Sequence, residues 1–150
     1  MPSFNEDLLT HGVLVNNPGN IRVNPNSKWL GEVDNPGQTF CAFSSPVFGI
    51  RAMLVLIRTY ILSETLTTVE AIISRYAPPS ENDTSAYIKD VCITGGFTPT
   101  TQIDNPAKQA KLVFGMILHE NGFAPYTMDF ISRVLSRFDA GVGHLTQETS

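Results

Sequence analysis

Residues 105–122 read NPAKQAKLVFGMILHENG. Asn105 is a helix N-cap type, followed by Pro106, which is preorganised for the first helical position. Asn121-Gly122 is a helix stop. Between them Ala110, Val113, Phe114 and Ile117 recur at helical spacing, so the stretch predicts a long helix with one buried face. Glu120 lies seven residues after Val113 and three after Ile117, and so projects from that apolar side. It also sits at the helix C-terminus, where the macrodipole disfavours negative charge. Desolvation and the dipole both favour the neutral acid over the carboxylate. A carboxylic acid held in that form is what a glycosidic leaving oxygen needs as proton donor. The plainer alternative is a frayed helix end with Glu120 in solvent.

Four more helices fit the rest of the chain. One runs from Pro46, capped by Ser45, to about Leu62, with Ile50, Met53, Leu54, Ile57 and Ile61 on its apolar face. Thr67-Thr68-Val69-Glu70 has capping-box spacing and opens a helix bearing Val69, Ile72, Ile73 and Tyr76, which Pro78-Pro79 ends. A third spans Thr84 to Cys92 before Gly95-Gly96. Thr127 caps the last, which carries Phe130, Ile131, Val134, Leu135 and Phe138. Residues 1–45 are rich in turn formers, with short strands expected at Ile21–Val23 and Thr39–Phe43 as a small hairpin or ribbon. The expected fold class is mainly α, about five helices with a strand-and-loop lobe at the N-terminal end. The whole chain, residues 1–150, is expected to form one domain, with about 140–150 as a flexible tail.

Composition narrows the function. Of 150 residues, 42% are hydrophobic and 16% charged, and the formal net charge is −4. With no Lys/Arg cluster, nucleic acid is a poor partner. No apolar run approaches the roughly 18 residues that span a bilayer, so membrane insertion is not expected. The N-terminus lacks the basic and apolar regions of a signal peptide. Cys41 and Cys92 are expected as buried thiols, too few for a structural zinc site. His11, His119 and His144 have no ligand spacing, so neither a metal nor any other cofactor is predicted.

The phrase Ile117-Leu118-His119-Glu120-Asn121-Gly122-Phe123-Ala124-Pro125 resembles the helix end of lytic transglycosylases and bacterial glucosaminidases, where the glutamate of Glu-Ser-Gly is the catalytic acid. Asn121 stands where Ser is usual. Asn16-Asn17-Pro18-Gly19-Asn20-Ile21-Arg22, then Trp29-x-Gly31, then Phe40-x-x-Phe43-x-Ser45 before a helix, is similar to the glucosaminidase Asn-Asn loop. Arg75-Tyr76-Ala77-Pro78 and Thr84-x-x-Tyr87-Ile88 resemble later elements of the same families. In those families the catalytic helix precedes the Asn-Asn loop, whereas Glu120 follows it here. The resemblance therefore implies a circularly permuted lysozyme-like fold, easy to reach when termini lie close together. The run from the Asn-Asn loop to His-Glu-Asn-Gly also resembles phage-encoded proteins.

What the resemblance implies is cleavage of the β-1,4 glycan strand of bacterial peptidoglycan by a lysozyme-like enzyme. It would be a lytic transglycosylase or a muramidase/glucosaminidase, virion-associated or delivered to the host periplasm and cell wall. Glu120 would be the acid. Tyr76 would stand beside it, although core packing is equally open. Glu81 would be a second carboxylate or hold a sugar hydroxyl, unless it only complements the start of the next helix, which Asn82 to Thr84 cap. Asn17, Asn20, Arg22, Trp29, Phe43, Asn82 and Tyr87 would contact substrate. Asn17, Asn20 and Arg22 read otherwise as turn residues and a strand charge, and Trp29 as a loop-core anchor. Phe40 and Phe43, three apart, point to opposite faces of a strand, so one belongs to the core. Glu32 and Glu6 are weaker acid candidates. Other expected partners are virion proteins. The competing class is a non-catalytic virion structural or wall-binding protein, or an inhibitor or assembly module.

Overall fold

The computed structural model describes residues 10–139. Its elements, in chain order, are α1 (His11–Leu14), β1 (Glu32–Val33), β2 (Ala42–Phe43), α2 (Pro46–Ser63), α3 (Val69–Tyr76), α4 (Thr84–Gly95), α5 (Pro106–Asn121) and α6 (Met128–Asp139). Among the described residues the protein is mainly helical with one small sheet. Both the expected tail at 140–150 and Glu6 lie outside the described residues.

The helix boundaries follow from local chemistry. Asn105 is extended and its side-chain oxygen accepts from the Lys108 amide at 2.9 Å, which starts α5. Gly122 ends it at φ +77°, a left-handed conformation that glycine adopts without penalty, with its N–H on the Leu118 carbonyl. Asp83 caps α4 through the Ala86 amide, and Thr127 caps α6 through that of Phe130. The cap of α3 is Thr68, which accepts from Ala71. The capping-box reading started one residue early. Thr68 instead lies at a bridge to Gln102, which fixes where the helix begins. Ser45 occupies the cap position of α2 without a side-chain bond.

The 18 residues of α2 have a mean hydropathy of 1.4 and are, by length and composition, enough to cross a bilayer. This corrects the reading that no apolar run reaches that length. Ten of the 18 are buried inside the fold, among them Arg51 and Arg58, so α2 is its central core helix. Around it a continuous apolar core joins Ile50, Met53, Ile57, Ile72, Tyr87, Val113, Met116 and Ile131. Helix α5 packs on α4 and α6, and α2 on α6, α5 and α3. Burial on α5 is wider than one face: Leu112, Gly115 and Met116 are covered too, while Phe114 is only half-buried.

The N-terminal lobe differs from the expected hairpin. The antiparallel ladder pairs Glu32 with Phe43 and Val33 with Ala42. The 21–23 segment joins it by the Arg22–Phe40 bridge, with backbone bonds from Cys41 to Ile21 and Val23 to Thr39. Turn formers around Glu32-Val33 hid that strand, and α1 went unforeseen because four residues give no readable period. Asn16 and Asn20 both have positive φ, 61° and 51°, a region asparagine tolerates better than most side chains. That explains two of the asparagines in the loop. Cys41 is buried and Cys92 half-buried, both as free thiols.

Candidate functional site

The last turn of α5, the buried face of α4 and the Asn-rich loop converge on Glu120. Its Oε1 accepts from Asn20 Nδ2 at 2.9 Å. Its Oε2 accepts from the Tyr87 hydroxyl at 3.0 Å. The carboxyl group is half-buried and borders a groove of about 570 Å³. The N-terminal lobe contributes Gly19, Asn20, Ile21, Arg22, Trp29 and Phe40 to the lining. The helical side contributes Tyr60, Arg75, Tyr76, Pro78, Glu81 and Asn82. A volume of this size suits a small ligand or a short stretch of a polymer.

Two tyrosines stiffen this region. The Tyr76 hydroxyl donates to the Gly19 carbonyl at 2.5 Å. Gly19 must be glycine, because a Cβ there would stand 2.4 Å from that hydroxyl oxygen and 2.8 Å from Met53. Burial, and after it the negative charge of Glu120, pushes both the Tyr76 and Tyr87 phenols well above their usual range. Both therefore stay protonated donors at neutral pH.

Asn121 locks the helix end to the loop. Its amide donates to the Pro18 carbonyl at 2.8 Å and to Ile117 at 2.9 Å, and its oxygen accepts from the Thr10 hydroxyl at 2.5 Å. It is 7% exposed. The loop presents Asn20 to Glu120 because Asn121 holds its backbone two residues earlier.

No family model matches this chain. Protein P5 of Pseudoalteromonas phage PM2 is 39% identical over 125 residues, which cover 81% of this chain and 78% of that protein. The chain belongs to the P5 family.

In this member of the P5 family the candidate residues separate into those at the groove and those that hold it. Glu120, Tyr76, Asn20, Arg22, Glu81 and Asn82 all line it. Glu81 and Arg22 come from opposite sides of the lining and pair at 3.7 Å, with the Arg22 guanidinium over the Phe40 ring. Asn82 is exposed and donates to the Pro78 carbonyl. Trp29 lines the groove yet is 4% exposed, so it is a loop-core anchor rather than an open stacking platform. Its indole N–H has no acceptor among the described residues.

Three expected substrate contacts are structural instead. Asn17 has no exposed surface: its amide donates to the Ile21 and Cys41 carbonyls and its oxygen accepts from the Ile21 amide, which leaves nothing to offer a ligand. Phe43 is in the core, and its strand neighbour Phe40 faces the groove. Tyr87 is 1% exposed and holds the acid rather than meeting a ligand. Glu32 accepts from the Trp29 amide and does not border the groove. Sequence reasoning missed Tyr60 and Arg75 as lining residues. Only the i, i+1 pairing of Arg75 with Tyr76 hinted at the second. Among the described residues no three His, Cys, Asp or Glu side chains cluster to hold a metal ion.

Proposed function

We propose that this chain cleaves the β-1,4 glycan strand of bacterial peptidoglycan, with Glu120 as the general acid and then the base. The observation that carries the reading is one half-buried carboxyl group at a groove, with each oxygen held by a different donor. A glutamate fixed this way is positioned before substrate arrives, which is where much of the gain in proton-transfer catalysis lies.

The donors constrain the chemistry. The Asn20 amide can only donate, so Oε1 is an acceptor in every protonation state. On Oε2 the Tyr87 hydroxyl can either donate or accept, so the two partners can hold the acid and the carboxylate alike. Protonation of the bridging oxygen releases the leaving sugar, and the carboxylate so formed takes a proton from the incoming nucleophile. Among the described residues Glu81 is the other carboxylate of the lining, and it is engaged by Arg22. A nucleophile from the substrate itself is therefore favoured. The sugar 6-hydroxyl would close a 1,6-anhydro ring, as in a lytic transglycosylase. Attack by the 2-acetamido group is the next route, and both are exceptions to the two-carboxylate scheme.

We read the architecture as lysozyme-like in permuted order. In support, the end of α5 is bonded to the Asn-rich loop across 103 positions of sequence. A phage relative fits an enzyme carried to the cell wall by a virion.

The test is digestion of purified peptidoglycan by the wild type and Glu120→Gln, with mass spectrometry of the released fragments. Anhydro-muramyl ends from the wild type alone are expected. Reducing ends would mean hydrolysis. Equal cutting by the variant would remove Glu120 as the acid, and no cutting of any wall would favour a structural or wall-binding role.

A further inference from the structure

Behind the acid lies a second pair of side chains that the proposed chemistry does not use. Tyr87 and Asp90 are three residues apart on α4 and so share the face turned to α5. His119 precedes Glu120 on α5. Its imidazole stacks on the Tyr87 ring with centroids 3.9 Å apart and planes inclined by 31°. Its Nδ1 lies 2.7 Å from Asp90 Oδ2, and because an ionised carboxylate only accepts, the tautomer with the proton on Nδ1 is the one that bonds it. A His–Asp pair this exposed, 26% and 54% by side chain, adds little stability by itself. Its placement gives it another task. The His119 ring covers one face of the phenol whose hydroxyl reaches Glu120 Oε2, and Asp90 fixes the angle of that ring.

Resting on the glycan-cleaving reading, we propose that His119 and Asp90 are positioning residues: Asp90 orients the His119 ring, and that ring clamps Tyr87 so that its hydroxyl stays on Oε2 of Glu120. The coupling runs through geometry alone. Neither residue lines the groove, so neither is placed to touch substrate. Loosening the clamp should therefore leave binding intact and slow the chemical step.

The experiment uses the full chain labelled with carbon-13 at the glutamate carboxyl groups, comparing wild type, Tyr87→Phe, His119→Ala, His119→Phe and Asp90→Ala at one fixed pH. The Glu120 resonance is assigned by its loss in Glu120→Gln. Tyr87→Phe and His119→Ala are expected to move it in the same direction, and Asp90→Ala by less. His119→Phe, which restores a ring without the Asp90 bond, should bring it back toward the wild type. On peptidoglycan, His119→Ala should lower kcat by roughly tenfold to a hundredfold with KM changed by less than about twofold. A Glu120 signal moved by Tyr87→Phe but untouched by His119→Ala overturns the proposal, as does a rise in KM with kcat preserved. Asp90 is exposed, so Asp90→Ala carries the test should His119→Ala fail to fold. A wild type that cuts no wall but shows the full pattern of shifts upholds the clamp and sinks the glycan-cleaving reading instead.

Discussion

At the scale of residues, Glu120 was legible as a groove residue because an acidic side chain on the apolar side of a helix end is out of place. Its partners were not legible. Asn20 and Tyr87 lie 100 and 33 positions away, and no local period encodes which phenol will reach which carboxylate. Tyr87 read as a surface contact because its motif is shared with residues that line a cleft. The two phenols also set a pH dependence. Folding raises both above the ordinary value of 10.0. Their contribution to stability is thus fully present below about pH 10 and is lost as pH rises beyond it, because the unfolded chain then releases protons the folded one retains. The Cys41 thiol, pushed by burial from 9.0 to about 12, acts with the same sign from about pH 9 upward. Thermal melts should be nearly flat from pH 7 to about 9 and fall above that. In Tyr76→Phe/Tyr87→Phe the alkaline fall should be shallower. An unchanged slope would mean that the decline has another source.

At the scale of elements, helices were read well and strands poorly. Caps and stops are local: Asn105-Pro106 and Asn121-Gly122 bracket α5 as read, the cap of α3 fell one residue later than its box spacing, and α4 ran three residues further than Cys92. The strands depend on pairing across the lobe, so Glu32-Val33 could not be told from a turn without its partner Ala42-Phe43. The join between α5 and the loop rests on Asn121, whose replacement by Ala would strip the Pro18 carbonyl and the Thr10 hydroxyl of their partner. Leaving such groups unsatisfied costs about 1–3 kcal/mol. Asn121→Ala is expected to lose about 2 kcal/mol in denaturant unfolding and to lose more activity than that stability change explains, since Asn20 would be released with the loop. Full activity in a destabilised Asn121→Ala would show that the loop holds its place unaided.

At the scale of the whole molecule, the mainly helical class with a small strand-bearing lobe followed from hydrophobic periodicity and turn composition. The arrangement did not, because α2 had to be recognised as a core helix and its buried Arg51 and Arg58 give no such hint in sequence. Thr10 sits within hydrogen-bonding distance of Asn121, so the start of the described chain and the end of α5 are neighbours. A chain rearranged to begin at residue 105, with a short Gly/Ser link from 122 to 10 and α6 supplied as a separate segment, should rebuild the same groove. Retention of the Glu120 carboxyl resonance, or of glycan cleavage, would check it. A misfolded product would mean that the covalent path through Phe123–Thr127 is needed to seat α5.

The distance in sequence between Glu120 and Asn20 has a consequence for the life of the chain before it is finished. Contacts that span so many residues form late, after the local helices, since loop closure must be paid before they give anything back. A growing polypeptide emerging from the ribosome holds Asn20 and Tyr87 long before it has Glu120, whose carboxylate they hold. Until α5 has been made, those two donors have no carboxylate to hold. The carboxyl group and its two donors are therefore brought together in one step, when α5 docks.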